Sequence, residues 1–131
     1  MTAIQTIKDK VSICMFDLYG TVVDMQGGLT RAVTPYLKAK GWAGEPSRLV
    51  TWWRRTHFEN SMIDALLHRA HIPYREIGRI SLSYTLERAG IAHTQKEVKK
   101  LVSEIERLQP FPDVVAALTR LKQKYRLVIL S

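Results

Sequence analysis

Two short apolar runs bracket the chain, and most of what lies between them repeats with a helical period. Val11 to Phe16 is rich in strand-compatible residues and stops at Asp17, just ahead of Gly20. This predicts a buried strand ending in a functional turn. Tyr125 to Leu130 repeats the design and stops at a small hydroxyl residue, Ser131. Just before that second run, Asp113 follows Pro112 and is placed to cap a helix whose Val114, Val115, Leu118 and Leu121 share one face. A helix leading into a strand implies a crossover to a parallel neighbour. Such crossovers are right-handed in nearly all cases, and open α/β sheets take ligands at the carboxyl ends of their strands. Asp17 and Ser131 are therefore expected at one sheet edge.

Between Gly20 and Pro110 the pattern is helical almost throughout. Leu29, Ala32, Val33, Tyr36 and Leu37 form one stripe ending at Gly41, with Pro35 expected to bend or interrupt it. A second helix is expected from Pro46, a favoured first-turn residue, carrying Leu49, Val50 and Trp53. A third follows Pro73 and closes at Gly90. The fourth is the best marked: Thr94 and Glu97 form a capping-box pattern ahead of the apolar face of Val98, Leu101, Val102, Ile105 and Leu108. An insert this long exceeds a plain crossover and predicts a helical module of its own. Neither internal repeats nor low-complexity linkers occur.

Composition narrows the class. The chain has 131 residues, 46% of them hydrophobic, enough for a sizeable core. No run approaches the ~18 apolar residues of a membrane span, and MTAIQTIKDK does not introduce a secretory core segment. A cytoplasmic location is expected, in keeping with a single cysteine, Cys14, which cannot form an internal disulfide and reads as a small buried apolar residue. The net charge of +8 raises nucleic acid as a partner, but the cations are interspersed with acids, as from Lys96 to Arg107. With no zinc-ligand spacing, aromatic RNA-binding run or Gly-Lys-Ser/Thr loop, neither nucleic acid nor membrane is expected as a partner. His57, His68, His71 and His93 show no repeated ligand spacing.

A carboxylate at a strand's end, followed by a glycine-containing turn and Thr21, is equipped as a nucleophile that forms an ester or acyl phosphate for water to hydrolyse. The same placement suits an aspartate that only caps the turn. The residues alone leave both roles open. However, CMFDLYGTVVD resembles the first motif of the haloacid dehalogenase superfamily, and LVILS resembles the strand and serine of its second. The segment LQPFPDVVAALTRLKQKYRLVILS is similar to the family's approach to that second motif. The resemblance implies an α/β fold: a Rossmann-like parallel sheet with a helical cap inserted after the first strand. Residues 1–24 and 108–131 would form the core and 25–107 the cap, with the C-terminal part of the core missing beyond Ser131.

Within that superfamily, phosphatases usually carry a second aspartate two residues after the nucleophile, which protonates the leaving alkoxide. Here that position is Tyr19. A departing halide needs no proton, so FDLYGT resembles the 2-haloacid dehalogenases of the L-specific type. Without the second carboxylate a divalent cation also loses a ligand, so neither metal nor other cofactor is expected. The resemblance makes Asp17 the nucleophile, oriented by Thr21. Leu18 and Tyr19 would supply backbone donors and an apolar wall, and Ser131 would bind the carboxylate of a 2-haloalkanoate. An arginine after a tryptophan in the cap would hold that carboxylate and receive the halide, which selects Arg54 with Arg55 as the fallback. Trp52 and Trp53 could line an apolar pocket, although adjacent helical residues cannot face the same way.

The implied product is an (R)-2-hydroxyacid from an (S)-2-haloacid. The family's lysine and acidic segment have no counterpart up to Ser131. A phosphatase or phosphonatase of the same superfamily, and a non-catalytic fragment, are the competing readings. A homodimer through the cap and a monomer are both compatible with the stripes.

Overall fold

The computed structural model describes residues 3–130. Ser131 lies outside the described residues. The run of strand formers at the N-terminal side becomes β1, Ile13–Phe16, and the run near the C-terminus becomes β2, Arg126–Ile129. The two pair in parallel, with Ile13 opposite Arg126 and Phe16 opposite Ile129. Their carboxyl ends therefore coincide at one edge, and the Leu130 N–H donates to the Phe16 carbonyl at 2.9 Å. The strand is less enclosed than its apolar run predicts. Cys14 and Phe16 are half-buried, while Ile13 and Met15 are 45% and 62% exposed. The side chains of a strand alternate between faces, and only one face of this pair is covered among the described residues.

The strands belong to an α/β unit of residues 1–25 and 109–131, while residues 26–108 form a separate helical unit. The chain crosses between them at Met25 to Gln26 and at Leu108 to Gln109, one residue beyond the expected positions. The α/β unit begins with α1, Ala3–Lys10, which sequence patterning did not predict; its Ile4 and Ile7 are 66% and 60% exposed. It also contains α6, Val114–Lys122, which leads into β2. Two details of α6 differ from expectation. Asp113 makes no side-chain capping bond, because its own backbone is already helical rather than extended. Val115 is 64% exposed, and the half-buried face is Val114, Ala117, Leu118 and Leu121, the spacing that a 3.6-residue turn brings into line.

The helical unit holds α2 (Met25–Ala39), α3 (Pro46–Leu66), α4 (Tyr74–Arg88), α5 (Gln95–Ser103) and a 3₁₀ turn, Glu104–Arg107. α2 runs on through Pro35 without interruption. Proline's fixed φ suits a helix, and the cost is one lost backbone bond. That cost is offset by burial of Leu29, Val33 and Leu37, each 1% exposed. α3 starts at Pro46 behind the Glu45 cap, whose side chain accepts from the Ser47 N–H. α5 carries the full reciprocal capping box between Thr94 and Glu97. Gly90 ends α4 with φ +69, a conformation that favours glycine, and the Ile91 N–H then returns to the Leu86 carbonyl at 2.9 Å.

The core of this unit is formed where α3, α4 and α5 pack in sequence. Leu49 and Val50 from α3, Leu82 and Leu86 from α4, and Val98 from α5 are fully buried. Each contributes roughly 1.5–3 kcal/mol of hydrophobic stabilisation. Trp53 enters the same core, and its indole N–H donates to the Gly78 carbonyl at 3.1 Å. A Cβ at Gly78 would lie 3.2 Å from a Val102 methyl, so this glycine permits a close approach of α4 and α5. A polar inset crosses the α3–α4 interface: Asn60 donates to the Ser81 hydroxyl at 3.2 Å, and buried Thr85 donates to the Ser81 carbonyl.

Candidate functional site

β1 delivers Asp17 to the sheet edge. The strand stops there because the next six residues fold into a tight loop tied by its own backbone. The Leu18 carbonyl accepts from the N–H groups of both Val22 and Val23, each at 3.0 Å, and the Gly20 N–H donates to the Val23 carbonyl. Gly20 adopts φ +92, where a side chain would be strained. The loop is anchored in turn to the segment returning from the helical unit: the Phe111 N–H donates to Val22, and the Asp24 N–H donates to Gln109. Val22 and Met25 are buried, which fixes the loop from below.

Four of the residues singled out from the sequence meet in this loop. Asp17 and Thr21 are exposed, and the Thr21 hydroxyl donates to the Asp17 Oδ2 at 2.9 Å. Oδ1 has no hydrogen-bond partner among the described residues. Leu18 and Tyr19 are half-buried, and Tyr19 forms an isolated parallel bridge with Val23. The geometry provides a carboxylate held by one oxygen and open at the other, at the end of a strand, with a phenol two residues on. Among the described residues no three His, Cys, Asp or Glu side chains gather as metal ligands. With a phenol where a second carboxylate would stand, the loop does not offer the oxygen set a hard divalent cation prefers.

The chain is similar to known proteins over most of its length. The model of the haloacid dehalogenase-like hydrolase family matches residues 11–131. The chain belongs to this family. Haloacetate dehalogenase of Moraxella sp. (strain B) is 28% identical over 123 residues, which are 93% of this chain and 52% of that protein. An (S)-2-haloacid dehalogenase of Pseudomonas putida is 28% identical over 108 residues, 82% of this chain and 45% of that protein. Among solved structures, the L-2-haloacid dehalogenase of Xanthobacter autotrophicus superposes with a TM-score of 0.79 at 27% identity, over 92% of this chain and 46% of that one. The same enzyme with chloropropionic acid covalently bound matches with a TM-score of 0.77 at 25% identity, again over 92% and 46%. The haloacid dehalogenase-like chain thus spans about half the length of the curated relatives it matches.

Apart from Ser131, the remaining sequence candidates of this family member lie in the helical unit. Arg54 is half-buried on α3, and its Nη1 donates to the Gln26 Oε1 at 2.9 Å. Arg55 differs: it is exposed and forms an i,i+4 ion pair with Glu59 at 2.8 Å. Trp52 is 47% exposed and Trp53 is 5% exposed, so the two do not share a pocket. Trp52 instead walls an open cleft of about 440 Å³ with Arg55, Thr56, Glu59, Tyr84, Thr85 and Arg88. His57 packs against the Tyr74 ring at 4.3 Å. Burial lowers its imidazole pKa, and the bond to the Tyr74 carbonyl opposes that only in part. Gln26, which touches Arg54, escaped the sequence reading because nothing in the local pattern marks a glutamine near a helix start.

Proposed function

We propose that this chain contributes the nucleophile and cap of a hydrolytic 2-haloacid dehalogenase. The observation that carries this is the Asp17 carboxylate at the end of β1, bound by Thr21 at one oxygen and, among the described residues, open at the other, with Tyr19 where a proton-donating carboxylate would serve a phosphatase. Residues 1–24 and 108–131 act as the core and 25–107 as the cap. The Asp17 oxygen attacks C2 of an (S)-2-haloacid in line with the carbon–halogen bond. A C–O bond forms, and the halide leaves with the bonding electrons, inverting C2. Water then adds to the Asp17 carbonyl carbon and the ester opens to the (R)-2-hydroxyacid, restoring the carboxylate with net release of one proton. Halide is the conjugate base of a strong acid and departs without a general acid, so the phenol of Tyr19 costs this reaction nothing.

Arg54 binds the substrate carboxylate and receives the halide, a task that suits a guanidinium because it stays charged and offers forked donors. Leu18 and Tyr19 form an apolar wall with backbone donors, Thr21 orients Asp17, and Ser131 completes the carboxylate site. The bound chloropropionic acid in the Xanthobacter enzyme supports a small haloacid as substrate. On α3, Phe58, Met62, Ile63 and Leu66 are all at least 43% exposed, which supports a second copy of the chain as a partner.

Single turnover of 2-chloropropionate in ¹⁸O-labelled water tests the reaction. Label is expected in the Asp17 side chain, and Asp17→Asn abolishes halide release. Label entering the first product directly overturns the covalent route. Mg²⁺-dependent hydrolysis of a phosphate ester without halide release overturns the dehalogenase assignment.

A further inference from the structure

Resting on the anion-binding role proposed for Arg54, we infer that Gln26 is its positioning residue: the Gln26 amide fixes the guanidinium while leaving its charge uncompensated. Gln26 is the first residue of the helical unit. Its Oε1 accepts from Arg54 Nη1 at 2.9 Å, and its Nε2 donates to the Ser47 carbonyl at 3.0 Å and to the Thr51 hydroxyl at 3.3 Å. The Thr51 hydroxyl in turn donates to the Ser47 carbonyl at 3.0 Å.

This network determines the orientation of the amide. Turned by half a revolution, Gln26 would set its NH₂ against a guanidinium that can only donate, and its oxygen against a carbonyl that can only accept. Both ends of the amide are therefore committed, and Ser47, Thr51 and Arg54 are gathered from one side of α3 onto a single side chain of α2.

The neutrality of its hydrogen-bond partner separates Arg54 from four other arginines. Arg55, Arg75, Arg79 and Arg107 each meet a carboxylate, Glu59, Glu106, Glu76 and Glu104 respectively. A carboxylate would fix a guanidinium equally well, but it would also offset the charge that an incoming anion needs. An amide supplies the geometry alone. Holding a long side chain in place beforehand removes part of the ordering entropy that ligand binding otherwise incurs.

Methanesulfonate, which stays anionic at all the pH values needed, serves as a non-reacting probe of this site, with binding to the whole protein followed by calorimetry. Arg54→Met is expected to lose most of the binding. If it binds like the parent, the role proposed for Arg54 fails, and Gln26 has nothing to position. Given that loss, Gln26→Leu is expected to weaken binding about three- to tenfold with the helical signal intact. Unchanged affinity in that variant overturns the proposal for Gln26 while leaving Arg54 in place.

Gln26→Glu provides a readout that a merely structural role would not move. At pH 7 the introduced carboxylate pairs with Arg54 and weakens anion binding about tenfold or more. Pairing with Arg54 holds that carboxyl below the ordinary glutamate range, so it takes up a proton, and the ratio of variant to parent affinity recovers, only as the pH falls below ~4 towards ~3. A ratio that stays constant with pH overturns the proposal, even if Gln26→Leu is too unstable to assay.

Discussion

Trp52 and Trp53 are chemically identical neighbours whose replacement by phenylalanine is expected to have unequal effects. Trp53 is 5% exposed and donates to the Gly78 carbonyl at 3.1 Å. Exchanging its indole for a phenyl ring removes about 40 Å³ from a packed core, or about 1 kcal/mol at the cavity coefficient of roughly 24 cal/mol per Å³. The lost hydrogen bond adds about 1 kcal/mol. Trp53→Phe is therefore expected to cost about 2 kcal/mol, which for a domain of this size lowers the melting midpoint by roughly 6–10 °C. Trp52 is 47% exposed, with the Arg48 guanidinium 6.0 Å from its ring centre. Trp52→Phe loses part of that exposed cation–π contact and is expected to cost under about 0.5 kcal/mol. Urea and thermal unfolding followed by far-ultraviolet dichroism, which reads the helices, give both numbers. A cost for Trp52→Phe equal to or above that of Trp53→Phe would refute the assignment of Trp53 to the core, and with it the direction in which α3 presents Arg54.

Thr21→Val removes the bond to Asp17 Oδ2 and, because both groups are exposed, is expected to lower kcat only about fivefold, with little change in KM; an unchanged kcat would dismiss the orienting role. Thr94→Ala breaks the capping box at α5 and is expected to cost about 1 kcal/mol in the same urea titration. The Lys40 ammonium, with the Thr94 backbone N–H second, lowers the Glu97 pKa from 4.5 to about 2. The folded value lies below the unfolded one, so this contribution is fully present above pH 4.5 and is lost as pH falls towards 2. Glu97→Gln should flatten the acid limb over that window. For His57, burial lowers the pKa below the ordinary 6.5, so the unfolded chain takes up its proton first. Stability is expected to fall as pH drops through 6.5, and His57→Gln should remove that slope.

The signals that proved legible are local ones. Pro46, the Thr94 to Glu97 box and Gly90 each act within a turn of their own position, so the limits of α3, α5 and α4 follow from the residues there. The Asp17 loop was legible for the same reason, since FDLYGT carries its carboxylate, turn glycine and hydroxyl within one short segment. The misplaced details depend on neighbours remote in sequence. Val115 satisfies an apolar pattern but falls off the face that packs, and Asp113 has the residue type of a cap without the extended backbone a cap requires. Pro35 was expected to bend or interrupt α2; it does not interrupt the helix, because burial on either side of it outweighs one missing hydrogen bond.

The chain's order of residues by itself determined the family, the parallel pairing and the single loop that gathers Asp17, Leu18, Tyr19 and Thr21, because all of these rest on contiguous motifs or short-range periodicity. Tertiary structure alone decided which of two adjacent tryptophans is core, which of two adjacent arginines meets a neutral partner, and that Gln26 is that partner. Those outcomes depend on the angle at which α3 meets α2 and α4, and a helix rotated by one residue would exchange them at no cost to its own hydrogen bonds.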